Sequence, residues 1–415
     1  MSNVFKIASH APAFDTIVIG AGHAGLATSH LLKQRRIPHI VLERGRIGES
    51  WRSQRWDSFA VNSPNALNGL PSAPYRGDQP NGFFTRDELV QSFERYVRDG
   101  ELPVRTGTEV TAVERGRGDF VVRTKCRFGV ERNLRARSVV VASGIMQQPK
   151  LPQVAAKIPQ QITQLHTGDY RNPAALPSGS VVVVGSGQSG SQIAEDLIQA
   201  GRRVYLCTSK VARLPRRYRG RDILAWLWDS GFLHETRAEQ ADPSIFRAAQ
   251  PQVSGVGRHG HTLSLQGLAV DGVTLLGRLV DVEQQTLLLG DDLNEHIRFA
   301  DEKSAMFKQH VDSHIAQQGI VAPAPDPDPA DQPCRSPVAS PSRLDLADAG
   351  VGTIIWCTGF TADFSWLRFP VLDAGRPVHE RGVTATPGLY LVGFPWLYKR
   401  KSGIICGVEE DASHV

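Results

Sequence analysis

At 415 residues the chain has room for about two to three domains, each large enough for a proper core. With 41% hydrophobic and 21% charged residues it is not a disordered chain, and no apolar stretch reaches the length of a bilayer span. The net charge of +5 is mild, and the five scattered cysteines include no C-x-x-C pair, which argues against a zinc site or a dithiol-redox enzyme and for a reducing, cytoplasmic location.

The apolar run after Lys6 contains a glycine motif and continues into a βαβ pattern, so it reads as fold and not as a secretory address. Residues 16–19 are β-branched, as a buried parallel strand requires, and lead into Gly20-Ala21-Gly22-His23-Ala24-Gly25. In a G-x-G-x-x-G turn the first glycine bends the chain and the second admits a pyrophosphate. The third lets the next helix pack closely, with its free N–H groups facing the phosphates. A second strand over 39–42 ends in Glu43, where a carboxylate can hold ribose hydroxyls. The combination predicts a dinucleotide site.

Residues 56–82 form a long irregular stretch rich in Asn, Pro and Gly, of the kind that is usually functional. Thr85 and Glu88 form a capping box that opens a helix ending near Gly100. Short segments at 104–106, 109–114, 120–124 and 134–137 predict a small antiparallel meander. A buried strand follows over 138–142 and closes in Ser143-Gly144.

The first unit is then echoed: strand 180–184, turn Gly185-Ser186-Gly187-Gln188-Ser189-Gly190, helix 192–199 and strand 203–207. Two such units imply two nucleotides, hence an electron donor and an acceptor. Where Glu43 stands in the first, the second has Thr208-Ser209-Lys210, with Arg213 close behind; cations in place of an acid favour a 2′-phosphate, hence NADPH. The basic run from Arg202 to Arg221 contains no acid, and nucleic acid or a cofactor phosphate are its candidate partners. For residues 216–221 a solvated basic face stays open as a third reading.

Residues 223–232 and 301–318 are predicted helices, and the Pro- and Asp-rich 322–343 stretch a surface loop that leaves Cys334 exposed. Strands are expected at 352–356 and 389–392, and a closing helical segment from about 404. His259 and His261 lack metal partners at useful spacing, and Ser191 breaks any G-x-S-x-G elbow around Ser189.

These motifs, with WRSQRWDSF, FFTRDEL, VVVASG, IIWCTGF and PGLYLVGFPWLYKRKSGIICGVEEDA, resemble flavin-containing monooxygenases of the YUCCA-like class and the bacterial flavoproteins labelled as involved in potassium transport. The resemblance covers nearly the whole chain. It implies an α/β protein with two Rossmann-like domains: an FAD domain at 1–168 and 344–415, carrying the small β-meander, and an NADPH domain at 169–343 between them. Ser143-Gly144 and Cys357-Thr358-Gly359 would be the crossings. Beside the FAD it places Gly20, Gly22, Gly25, Glu43, Arg44, Val110, Ser143, Gly144 and Gly359, with Trp51-Arg52 as an aromatic–cation pair at the flavin ring. Lys401-Ser402-Gly403 would start the last helix with its positive end toward the flavin. Beside NADPH it places Gly185, Gly187, Gln188, Ser189, Gly190, Ser209, Lys210 and Arg213.

Asn62 lines up with the amide that the family sets by flavin C4a, a loop-capping role being its alternative. Two departures matter. Gln160 and Ile162 replace the aromatic residue and the glycine of F-x-G-x-x-x-H, leaving only His166, and Gly393-Phe394 stands where many flavoprotein reductases have Gly-Asp. The resemblance implies NADPH-dependent oxygenation of a small nitrogen, sulfur or carbonyl compound by O2 through a C4a-(hydro)peroxyflavin, without nucleic acid or a membrane span. A reductase or oxidase without oxygen insertion and a nucleotide-sensing regulatory flavoprotein are the alternatives.

Overall fold

The computed structural model describes residues 14–334, 336–373 and 376–415; the stretch around Lys6 lies outside the described residues. In chain order come β1 (Phe14–Ile19), α1 (His23–Gln34), β2 (His39–Leu42), α2 (Glu49–Ser53), α3 (Arg86–Asp99), β3 (Val104–Arg105), β4 (Thr108–Arg115), β5 (Phe120–Cys126) and β6 (Glu131–Val141). Then follow β7 (Gln148–Pro149), β8 (Thr163–His166), β9 (Ser180–Val184), α4 (Gln188–Gln199), β10 (Val204–Cys207), β11 (Arg217–Tyr218), β12 (Arg221–Asp222), α5 (Ile223–Asp229), α6 (Leu265–Val270) and β13 (Thr274–Leu276). The chain closes with β14 (Leu279–Glu283), β15 (Thr286–Leu289), α7 (Leu293–Gln318), β16 (Arg343–Asp345), β17 (Val351–Trp356), β18 (Phe360–Thr361), β19 (Leu372–Asp373), β20 (Arg376–Pro377), β21 (Leu389–Leu391) and α8 (Val408–His414).

Two sheets organise these elements. The first runs β3-β2-β1-β6-β5-β4 with β21 beside β6, and the second, wholly parallel, runs β13-β10-β9-β17-β8. The apolar strands explain the burial: Ile17, Val18, Val182 and Val183 are sealed between layers, as parallel strands covered on both faces must be. The expected strands at 134–137 and 138–142 are one strand. The exposed first half of β6 pairs antiparallel with β5, and its buried second half lies parallel to β1 and β21. The capping box at Thr85 and Glu88 forms as its spacing requires.

Sheet membership moves the expected divisions at 168 and 343. Residues 163–166 and 351–356 are parallel neighbours in the second sheet, so the chain leaves the first sheet after β6 and returns after β17. The two crossings run side by side, β7 pairing antiparallel with β18.

Three further expectations change. Helix α7 begins at Leu293, not 301, because its first turns bury Leu293, Ile297 and Ala300. The 322–343 stretch is not all surface loop: Asp331 is buried and ion-paired, and Cys334 is half-buried with its N–H on Asp301. Finally, the closing helical segment begins with a turn at Ile405–Gly407, near the expected 404, and runs into α8 at Val408, but Lys401-Ser402-Gly403 is a turn before it and not its start, with Gly403 at φ +85°.

Candidate active site

The two glycine turns sit at the C-terminal ends of β1 and β9, where parallel sheets place their ligands. Gly20 has φ +110°, and a Cβ there would lie 2.5 Å from the Ala142 carbonyl oxygen; Gly185 has φ +103°, with the Cys357 oxygen at 2.7 Å. A Cβ on Gly25 would meet the Gly20 oxygen at 1.8 Å, and one on Gly190 the Gly185 oxygen at 1.8 Å. The protein's own packing therefore demands the first and third glycine of each turn. It does not demand the second: Gly22 and Gly187 have nothing within 4 Å of a Cβ. Each opens onto free space at a helix N-terminus that no side chain caps. A phosphate chain fits that combination of open approach and unspent N–H donors.

The side chains around the two turns differ. Glu43 is buried, its Oε2 accepting the Ala21 N–H at 2.8 Å and its Oε1 the Gly45 N–H at 2.7 Å, which aims the carboxylate along the turn. In the second unit the Ser209 N–H donates to Ser186 Oγ at 2.9 Å. Lys210 is exposed, 3.0 Å from Glu295. Arg213 is not a free cation for a 2′-phosphate. It is 1% exposed and holds Asp301 at 2.8 Å and Asp331 at 3.2 Å, because a guanidinium withdrawn this far needs carboxylates around it.

Most of the rest of the basic run also finds partners within the protein. Arg216 pairs with Asp222, Arg217 donates to the Gly260 and His259 carbonyls, Arg219 pairs with Asp312, and Arg221 pairs with Asp229. Folding thus answers most of the run that nucleic acid or phosphate was a candidate to answer.

Gln188 and Ser189 open α4, but the Gln188 amide is taken by backbone: its Oε1 accepts the Val253 N–H and its Nε2 donates to the Ser254 carbonyl. At the matching place in the first unit His23 stands with Nε2 buried and unpartnered, and burial lowers its pKa to about 4.

Asn62 caps no loop with its side chain. Its Oδ1 meets Gln192 Nε2 of α4 at 3.5 Å, and its backbone oxygen accepts from Arg216 at 2.8 Å, so it is pinned where the two units face each other. Sequence reasoning missed Gln192 and Arg216 as its supports, since nothing in their spacing points across units. Of the pair expected at the flavin ring, Arg52 bonds Glu94 and the Ile47 carbonyl. The cation on Trp51 is Arg55, 5.1 Å from the ring and 5.4 Å from Phe59, its pKa lowered to about 10 by burial.

At the crossings, Ser143 Oγ and the Gly144 carbonyl accept from Gln147, while Gly144 and Gly359, at φ +69° and +83°, face open space. His166 spans toward them. Its Nδ1 accepts the Gly168 N–H, so its Nε2 carries the proton and donates to the Gly359 carbonyl at 2.9 Å. Ser402 Oγ accepts the Tyr398 and Lys399 N–H groups and donates to Asp411, whose carboxyl burial pushes up to about 6. Arg44 is exposed at the end of β2, and Val110 is half-buried against the first-sheet core. All five cysteines are free, and burial pushes the Cys357 thiol, beside the second glycine turn, up to about 12, so it is not poised as a thiolate. Among the described residues no cluster could hold a metal ion, and no helix is long and apolar enough to cross a membrane.

The profile of the family described as pyridine nucleotide-disulphide oxidoreductase matches residues 17–225. A CzcO-like oxidoreductase of Geobacillus kaustophilus is 33% identical over 408 residues, covering 97% of this chain and 97% of that protein. Indole-3-pyruvate monooxygenase YUCCA1 of Oryza sativa subsp. japonica is 25% identical over 419 residues, covering 96% and 89%. Among solved structures, a flavin-containing monooxygenase from Stenotrophomonas maltophilia superposes with a TM-score of 0.63 at 18% identity, covering 97% of this chain and 96% of that one, which shows a shared fold.

Proposed function

Since the chain belongs to the pyridine nucleotide-disulphide oxidoreductase family, we propose that it is an FAD- and NADPH-dependent monooxygenase acting with O2 on a small nitrogen, sulfur or carbonyl compound. The observation that carries this reading is the pair of glycine turns, each locked by its own packing except at the middle glycine. A full-length relationship to a monooxygenase and the raised Cys357 thiol beside the second glycine turn favour oxygenation over disulfide reduction.

The chemistry supplied by the bound cofactors is hydride transfer from NADPH to FAD and activation of O2 by the reduced flavin. The chain's part is to bind, orient and keep water out. Gly22 and the start of α1 would take the FAD pyrophosphate, with Glu43 holding its ribose; Gly187 and the start of α4 would take that of NADPH. Ser209 and Lys210 are left as the contacts for a 2′-phosphate. Asn62, anchored by Arg216 and Gln192, would present its amide N–H to the oxygen being transferred.

The test is to follow NADPH consumption, hydrogen peroxide and oxygenated product together under ¹⁸O2, in the purified holoenzyme. Product carrying one labelled oxygen per NADPH supports the reading, and Asn62→Ala then diverts turnover to peroxide. NADPH consumption that yields only peroxide across a nitrogen, sulfur and carbonyl panel favours an oxidase. Tight nucleotide binding without turnover favours a regulatory flavoprotein.

A further inference from the structure

Withdrawn cations in this chain generally hold a carboxylate: Arg213 has Asp301 and Asp331, Arg216 has Asp222, and Arg400 has Glu235. Arg55 has none within 4 Å among the described residues. Its guanidinium donates to the Gln54 carbonyl at 2.9 Å and to Met146 Sδ at 3.4 Å, and it lies to one side of the touching Trp51 and Phe59 rings, against both. A guanidinium has five N–H donors in a planar fork, and here a neutral carbonyl and a thioether answer only part of it. Arg55 keeps part of its surface open to solvent, so a fork with unspent donors there is placed to take an incoming anion.

The surroundings carry further unspent polarity. Gln54 also turns to Met146, its Nε2 donating to that carbonyl at 3.1 Å, while its Oε1 is buried without a partner. Arg171 reaches the same segment, donating to the Ser53, Gly168 and Tyr170 carbonyls, and has no carboxylate within 4 Å among the described residues. Met146 belongs to the first crossing, two residues after the open Gly144, and α2 is tied to the first glycine turn by the Gly48 N–H on the Ala21 carbonyl. Arg55 therefore stands between the first nucleotide turn and the junction of the two units. Each pyrophosphate has its own uncapped helix N-terminus elsewhere, and Ser209 and Lys210 are left for a 2′-phosphate, which leaves Arg55 for a further anion.

We propose that Arg55, set against the Trp51 and Phe59 rings beside Met146, is the anion-binding residue for the substrate, and that the substrate is a small organic acid seated by its carboxylate. This rests on the monooxygenase reading for what happens next, but the carboxylate site itself is testable without turnover. An Arg fork can take a carboxylate through two parallel bonds, and the aromatic rings keep the fork from rotating.

The probes are benzoate and its neutral isostere benzamide, titrated into the NADP+-saturated holoenzyme and followed by tryptophan fluorescence, since Trp51 lies against the guanidinium. Benzoate is expected to bind better than benzamide, and Arg55→Met to weaken benzoate about tenfold or more while leaving benzamide and NADPH binding unchanged. Arg55→Lys, which keeps the charge without the fork, should retain part of the benzoate affinity, and thermal melting confirms that both variants are folded. Equal binding of benzoate and benzamide to the unmodified protein would overturn the proposal. So would a loss of NADPH affinity with benzoate unaffected, which would assign Arg55 to a cofactor phosphate. A failed monooxygenase reading shows separately, as carboxylate binding without oxygenated product.

Discussion

The two glycine turns share a backbone and differ in nearly every side chain around it. In both, the first glycine lies against a neighbouring strand's carbonyl and the third against the first, while the middle one is open. In the first unit a buried carboxylate, Glu43, accepts the Ala21 N–H of the turn and the Gly45 N–H beyond β2; in the second, the Ser186 and Ser209 hydroxyls each accept the other residue's N–H. The fourth motif residue is an imidazole with Nε2 unpartnered in one, His23, and a fully engaged amide in the other, Gln188. Steric demand is thus common to both sites. What distinguishes one ligand from another must lie in the side chains that folding leaves unspent.

The largest expected effect concerns a residue that folding has spent. Arg213→Met should leave Asp301 without its cation, Asp331 keeping Lys308, and destabilise the protein by about 3 kcal/mol, read as a large drop in the unfolding midpoint. The preference for NADPH over NADH in whatever remains folded should be unchanged. A stable variant with weakened NADPH binding would instead return Arg213 to the cofactor.

Next come the locked glycines. Gly25→Ala and Gly190→Ala each force a methyl group to within 1.8 Å of a carbonyl oxygen, and overpacking of this kind costs about 1–3 kcal/mol. The comparison predicts that the losses are unit-specific: Gly25→Ala releases flavin, whereas Gly190→Ala keeps the yellow colour and loses NADPH binding. Gly22→Ala and Gly187→Ala, facing open space, should melt like the parent and still bind poorly. Flavin content and NADPH titration on the four variants separate these cases, and loss of both cofactors in every variant would dissolve the division between the units.

A smaller effect is expected at Lys210, a surface cation just past the end of β10. Lys210→Ala should raise the KM for NADPH roughly fivefold and leave that for NADH nearly unchanged, because a half-exposed lysine shared with Glu295 acts through a screened field. An equal rise for both nucleotides would place Lys210 on the pyrophosphate or on the fold.

What could be read from the sequence follows the same line between backbone and side chain. The turns, the parallel strands and the capping box rest on glycine spacing, β-branched runs and local hydrogen bonds, all written in consecutive residues. Arg213 and Asp331 are over a hundred positions apart, so no local pattern reveals that the acid in the proline-rich stretch is the partner of the basic run. Arg55 and Arg52 illustrate the same limit at short range. Both follow Trp51 closely, and only the packing of α2 decides that Arg52 turns to Glu94 and Arg55 to the ring. The exit and return of the chain were legible in Ser143-Gly144 and Cys357-Thr358-Gly359, but the membership of residues 163–166 and 351–356 was not, since a parallel strand looks the same in either sheet.

The smallest effect at neutral pH lies at His23, and it sharpens the comparison by making the first unit resemble the second. Burial holds its folded pKa at about 4, below the ordinary 6.5, so the folded ring stays neutral while the unfolded chain takes up a proton. The stability this contributes is fully present above about pH 6.5 and is lost as pH falls toward 4. His23→Gln installs the residue that the second unit has at Gln188 and removes the titration. Its unfolding midpoint in urea should match the parent at about pH 7.5 and fall less steeply between about pH 6.5 and 4. Asp411, raised by burial to about 6, titrates in the same window with the opposite sign, its contribution being lost as pH rises through that value. Both proteins carry Asp411, so the difference between their pH profiles isolates His23. Parallel profiles would mean that the ring is protonated or solvated in the folded state, and that the first turn does not keep the dry, neutral neighbour that sets it apart from the second.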